Sequence, residues 1–228
     1  VLRLLGRGGM GIVLLAEDIR LEREVALKVI APHAMQRERN QKLFVTEARA
    51  MAGVRHENVV QIYAFGHHEH WPYFAMEYVP GITVGTWLSR HKPGRGQPAS
   101  IDELIGILDQ VCRGLGAIHA QGIVHADIKP GNVLIGPAFR VAVTDFGLVR
   151  ALGKRDENEL VVGTPAFIAP EVVYSENPLF DQRADVYSLG VMAYEMVTGT
   201  LPYEIETVGQ LFDWLLYPTP SPRNHTTP

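Results

Sequence analysis

The segment "IVHADIKPGNVLI", residues 123–135, sets Asp127, Lys129 and Asn132 in one short polar window between apolar residues, and Asp145 follows in "TDFG". Phosphoryl transfer needs a carboxylate to orient a hydroxyl and accept its proton, a cation beside the transferring phosphate, and oxygen ligands for magnesium. Asp127, Lys129 and the pair Asn132 and Asp145 supply these three in that order. Aspartate beside glycine or proline is also ordinary turn chemistry, so residue types alone leave both readings open.

Two further groups extend the chemistry towards the N-terminus. "GRGGMGIV" places Gly6, Gly8 and Gly11 between two strand-like runs, where backbone N–H groups can approach phosphate oxygens with no side chain in the way. A glycine-rich hairpin turn is the alternative. The flanking strands argue against a dinucleotide fold, in which the third glycine opens a helix. Lys28, in "VALKV", is by itself as readily a solvated edge residue of a strand. Glu47 changes that reading, because it falls on the apolar stripe of a helix, one turn from both Leu43 and Met51. An unpaired carboxylate there is costly, so Glu47 needs a cation, and Lys28 is the candidate.

The elements that must hold these groups are legible in outline. "VLRLLG", "GIVLLAED" and "REVALKVI" read as strands separated by glycine-rich or charged turns. A helix over Asn40–Ala52 follows, with Leu43, Phe44, Ala48 and Met51 on one face and Gly53 at its end. "VVQIYAFG" and "YFAMEYV" bring the strands to about five. Past a short connection at residues 77–81 the pattern becomes helical. Residues 90–99 read as a loop, Ser100 and Glu103 have capping-box spacing at the head of a helix reaching about Ala120, and "ADVYSLGVMAYEMVTG" is apolar nearly all round, which predicts a helix enclosed on every side. The organisation is α+β, a small β-rich lobe joined to a larger α-rich one.

Composition narrows the function classes. The 228 residues are 46% hydrophobic, ample for a core, and the formal charge of -4 offers no basic field for a nucleic-acid backbone. No apolar run approaches the roughly 20 residues of a membrane helix. Cys112 has no second cysteine to pair with, which fits a reducing compartment. The chain opens on Val1 in strand-like sequence, as the edge of a fragment would.

Taken in order, "GRGGMGIV", "VALK", "HADIKPGN", "DFG" and the "APE" at residues 169–171 resemble the signature set of eukaryotic-type protein kinases, over nearly the whole chain. The wording of "DIKPGN" and "GTPAFIAPE" is similar to the serine/threonine branch, and "GRGGMG", "HENVVQIYAFG" and "MEYVPG" to its bacterial members. The resemblance implies a bilobal protein-kinase-like fold, with an antiparallel-sheet N-lobe over residues 1–79 and a helical C-lobe over residues 80–228. It implies ATP and Mg2+ as cofactors, proteins bearing Ser or Thr as substrates, and a cytoplasmic location with any membrane tether outside this stretch.

By the same resemblance Leu5, Gly6, Arg7, Gly8, Gly9, Met10 and Gly11 cover the nucleotide phosphates, and Lys28, paired with Glu47, holds the α and β phosphates. Asp127 is the catalytic base, Lys129 stabilises the γ phosphate, and Asn132 and Asp145 bind magnesium. Val13, Ala26 and Leu134 sandwich the adenine, Met76 is the gatekeeper, and Glu77 and Val79 offer backbone hydrogen bonds. Lys129 and Thr164 flank the acceptor hydroxyl, "GTPAFIAPE" forms the shelf on which a peptide lies, and Leu148 leans towards serine acceptors. His125 packs beneath Phe146 and belongs to the structure. A nucleotide-binding scaffold without turnover is the alternative function, and a small-molecule phosphotransferase is another.

Two departures stand out. Ala126 occupies the place where many family members have an arginine that grips a phosphorylated activation loop. Between Leu148 and Gly163 there is no Ser, Thr or Tyr, which predicts a kinase not switched by phosphorylation there, with Asp156, Glu157 or Glu159 as fixed charge unless they are simply a solvated loop. After a further helix-like run the chain enters "YPTPSPRNHTTP" without a match for the arginine that pairs with Glu171 in the family. If Glu171 is buried, the lost partner predicts an incomplete, marginally stable C-lobe. His67, His68 and His70 read as a solvated turn, and Trp87 and Trp214 as packing residues.

Overall fold

The computed structural model describes residues 1–8, 11–30, 38–91, 98–145, 165–174 and 181–203. The expectations placed on Gly9, Met10, Phe146, Leu148, the acidic run, Thr164, Trp214 and the helix-like run beyond Tyr203 lie outside these residues.

Strands β1 (Arg3–Arg7), β2 (Gly11–Asp18), β3 (Arg23–Ile30), β4 (Ile62–His68) and β5 (Trp71–Glu77) form an antiparallel sheet in the order β1-β2-β3-β5-β4. Alternation in β3 and β5 buries one face, and the register aligns Val13, Lys28 and Phe74 in one row and Leu15, Ala26 and Met76 in the next. Helix α1 (Glu38–Gly53) covers that face, burying Phe44, Ala48 and Met51, with the rings of Phe44 and Phe74 5.0 Å apart. It starts before the predicted Asn40 and includes Gly53.

The fourth strand begins later than its sequence pattern predicts. Val59 and Val60 are buried in the other lobe's sheet: Val59 bridges Val143, Val60 N–H donates to Val143 O at 2.9 Å, and Val143 N–H donates to Asn58 O at 2.9 Å. An apolar run pairs equally well with either sheet, so periodicity alone cannot choose the partner.

The second lobe is built on β6 (Ile82–Thr83), α2 (Val84–Arg90), α3 (Ile101–His119), β7 (Val133–Ile135), β8 (Val141–Val143), α4 (Pro170–Tyr174) and α5 (Gln182–Thr198). Strands β6, β7 and β8 form a small antiparallel sheet in that order. The capping box at the head of α3 is formed: Ser100 Oγ accepts from Glu103 N–H at 3.2 Å, and Glu103 Oε2 accepts from Ser100 N–H at 2.8 Å. Leu104, Ile107, Val111, Leu115 and Ile118 make the buried stripe of α3. Trp87 is buried, with its ring 4.2 Å from that of His91, as a packing residue.

Two expectations need correction. Helix α5 is not enclosed on every side: Val191, Met192 and Met196 are buried, but Val186, Tyr194 and Val197 are exposed. An all-apolar helix is buried only where other elements cover it, and among the described residues cover lies on one side. Glu171 is exposed, so the cost argued for a buried, unpartnered carboxylate is not incurred.

Candidate active site

Lys28 projects from the buried face of β3 into a carboxylate pair. Its Nζ lies 2.6 Å from Glu47 Oε1 on α1 and 2.8 Å from Asp145 Oδ1, which follows β8. The side chains are 10%, 3% and 30% exposed respectively. Burial alone would lower the lysine's pKa, but Asp145 and Glu47 more than offset it and the net shift is upward. Burial raises the Glu47 carboxyl above its ordinary range, and Lys28 draws it back only in part. For Asp145 burial also pushes upward, yet the Lys28 ammonium reverses the balance and holds the carboxyl below its usual value. The ammonium is thus fixed by one carboxylate from each lobe.

A second cluster surrounds Asp127. Lys129 Nζ donates to its Oδ1 at 3.0 Å and Oδ2 at 2.8 Å, and Asn132 Nδ2 donates to its Oδ2 and its main-chain oxygen, both at 2.8 Å. With its amide nitrogen turned towards Asp127, Asn132 keeps Oδ1 as a hard oxygen donor. Asp145, at a left-handed φ of 54°, is the other. Magnesium takes one or two protein oxygens and completes its shell with phosphates and water, so two such donors fit it better than an all-protein cage. Among the described residues no group of three His, Cys, Asp or Glu side chains is placed to hold a metal. His67 and His68 end β4 beside a turn at Glu69, whose φ is 52°, and are exposed.

What shapes the loop carrying Asp127 is a residue that sequence reading passed over. Asp185, fully buried on α5, accepts the backbone N–H of His125 (Oδ2, 2.8 Å) and of Ala126 (Oδ1, 2.8 Å), and its Oδ2 lies 2.7 Å from His119 Nε2. Ala126 sits at a φ of 64°, a strained value for a residue with a Cβ, and the carboxylate beneath holds it there. His125 is fully buried; its Nδ1 accepts from Asp127 N–H at 3.2 Å, so Nε2 carries the proton and donates to Thr144 O at 3.1 Å. Burial holds this imidazole below its ordinary pKa. The signal for Asp185 was present: a carboxylate in an apolar helix needs partners, which is the argument that picked out Glu47.

At the glycine-rich turn, Gly8 N–H donates to Gly11 O at 2.9 Å. A Cβ on Gly11 would lie 2.8 Å from Val29 O, so the neighbouring strand's backbone requires glycine there. Leu5 packs on the core and Arg7 is exposed. Val13, Ala26 and Met76 share the inner face of the sheet, Val79 is buried in the connection, and Leu134 lies half-buried on β7. Glu77 N–H donates to Gln61 O at 2.8 Å, so this amide is already spent within the fold. The Glu77 side chain is held by Arg140, through Nη1 to Oε1 and through Nη2 to Oε2 at 3.1 Å, and Arg140 Nε donates to Glu57 O at 2.8 Å. No local pattern announces that latch.

Residues 1–215 match the protein kinase domain family. Among curated proteins the chain is 37% identical over 230 residues to serine/threonine-protein kinase Pkn1 of Myxococcus xanthus, covering 97% of this chain and 32% of that protein. It is 34% identical over 209 residues to serine/threonine-protein kinase PrkC of Bacillus subtilis, covering 91% and 31%. With serine/threonine-protein kinase PknB of Mycobacterium leprae it shares 36% over 207 residues, covering 88% and 32%. The chain therefore spans about a third of the length of these curated relatives. The crystal structure of a point mutant of the Mycobacterium tuberculosis PknI kinase domain superposes with a TM-score of 0.71 at 26% identity, covering 90% of this chain and 75% of that one. With its sheet and helical lobes meeting at Lys28, Glu47 and Asp145, this chain belongs to the protein kinase domain family.

Proposed function

We propose that this chain is the catalytic domain of an ATP-dependent serine/threonine protein kinase that works in the cytoplasm on protein substrates, with an N-lobe over residues 1–79 and a C-lobe over residues 80–228. The observation that carries the reading is Lys28 held at once by Glu47 and Asp145, beside an Asp127 gripped by Lys129 and Asn132. Serine/threonine specificity rests on the relatives' names and on "DIKPGN" and "GTPAFIAPE".

In this reading the glycine-rich turn covers the phosphates, Lys28 orients them, and Val13, Ala26, Leu134, Met76, the Glu77 carbonyl and Val79 line the base site. Asn132 Oδ1 and Asp145 hold magnesium, which, when bound, neutralises charge building on the phosphate oxygens. Asp127 accepts the proton of a Ser or Thr hydroxyl as that oxygen bonds to the γ-phosphorus and the bond to ADP breaks. Lys129 offsets the charge on the transferring group. Because Ala126 supplies no guanidinium, the domain is active without phosphate in its activation segment.

The test is phosphate transfer from labelled ATP with magnesium to a generic Ser/Thr substrate, beside Asp127→Asn. The variant is expected to lose about 10²–10⁴-fold in kcat. A folded, ATP-binding wild type with no transfer turns the reading to a nucleotide-binding scaffold. Stoichiometric phosphate on Thr164 that raises activity removes the claim of phosphate-independent activity.

A further inference from the structure

Two hydroxyls, those of Tyr203 and Ser188, are spent on the backbone of one short segment, and a third, that of Tyr187, supports the first. Ala166 and Phe167 are buried in the turn Pro165–Phe167, and their carbonyls need donors. Tyr203 Oη donates to Ala166 O at 2.5 Å. That uses the only proton of Tyr203, so Tyr187 must be the donor in the 3.1 Å contact between the two phenols. Ser188 Oγ lies 2.7 Å from Phe167 O and 2.9 Å from Ala184 O, with the closer carbonyl belonging to the same segment. Burial raises the Tyr203 phenol above its ordinary pKa, so it stays a proton donor throughout the working range.

Tyr187 and Ser188 adjoin Asp185, whose carboxylate holds the main chain of His125 and Ala126. Neighbouring residues of one helix therefore hold both the loop that carries Asp127 and the segment Pro165–Phe167. A rigid helix between two anchored segments fixes the distance separating them, and phosphoryl transfer depends on that distance because the acceptor must be aligned with the phosphate.

We infer that Tyr203, supported by Tyr187 and by Ser188, is a positioning residue that sets the segment Pro165–Phe167 as the ledge for the acceptor peptide; this rests on the protein-kinase reading above. None of the three touches the transferring phosphate. Their effect falls on where the peptide lies, and the nucleotide side of the site is left alone.

The experiment is steady-state kinetics on the chain with a Ser/Thr peptide, varying peptide at saturating Mg-ATP and then ATP at saturating peptide, for wild type, Tyr203→Phe and Ser188→Ala. Tyr203→Phe keeps the ring and removes the hydrogen bond to Ala166 O together with the one accepted from Tyr187, so the peptide KM is expected to rise about five- to ten-fold. Ser188→Ala shifts it in the same direction, while the KM for ATP and peptide-independent ATP hydrolysis stay within about two-fold of wild type. An unchanged peptide KM in both variants overturns the inference, as does a parallel rise in the two KM values, which marks general loosening of the lobe. A wild type that transfers phosphate to no peptide removes the kinase reading together with this inference, whereas failure confined to the variants removes the inference alone.

Discussion

Removing Lys28 and removing Glu47 should have unequal costs, and the inequality is set by Asp145. Lys28→Met leaves Glu47, 3% exposed, without its cation, and also takes away the cation that holds the Asp145 carboxyl low. Breaking a buried pair in this way costs about 3–5 kcal/mol. Glu47→Gln leaves Lys28 still bonded to Asp145 at 2.8 Å, and the new amide oxygen can accept from the ammonium, so its cost is about 1–2 kcal/mol. In a domain of this size the two variants should melt about 6–20 °C and about 2–8 °C below wild type. The pH dependence follows from the sign of the shifts. Without Lys28 both carboxyls have folded-state pKa values above their unfolded ones of about 4. A group raised in that way favours the folded state below its unfolded pKa, and the advantage is lost as pH rises through the folded value. The deficit of Lys28→Met should therefore narrow from about pH 8 to about pH 5, by at most about 1.4 kcal/mol per pH unit for each carboxyl. Denaturant unfolding without nucleotide, followed by tryptophan fluorescence across that range, measures it. Equal losses in the two variants, or a deficit that does not change with pH, refute the reasoning.

Two glycines of α3 should respond oppositely to alanine: a Cβ at Gly114 would lie 2.5 Å from Asn58 O, whereas one at Gly116 meets nothing within 4 Å. Gly114→Ala should lower stability by about 1–3 kcal/mol and Gly116→Ala raise it by about 0.5–1 kcal/mol, both read from denaturant midpoints; the same sign for both contradicts the packing described. His125 supplies a pH test of its own. With its native pKa held down by burial, the unfolded chain binds the proton first, so the stability contributed by neutral His125 is complete above about pH 6.5 and is lost below it as pH falls towards the native value. His125→Asn should be less stable than wild type at about pH 7.5, and the gap should close below about pH 6.5; a constant gap in matched melts counts against the assignment.

Short-range physics made β2, β3 and the capping box at Ser100 legible in the amino-acid order, because alternation, charged turns and a three-residue capping spacing act between near neighbours. The same logic reached Lys28 and Glu47, since a carboxylate on an apolar stripe announces that a cation must be near. Tertiary structure alone decided the rest. Asp145 reaches Lys28 from the opposite lobe, and Arg140 closes on Glu77 from the β7–β8 connection, with no periodicity to link either pair. Val59 and Val60 are apolar enough for either sheet, and the course of the chain between the lobes assigned them to β8. Asp185 was visible as a buried carboxylate in waiting, but the groups it satisfies are backbone amides, and every residue carries one. Sequence by itself thus determined which side chains require partners, while packing determined which partners they meet, because the energy of a long-range contact depends on where the whole chain has already placed both ends.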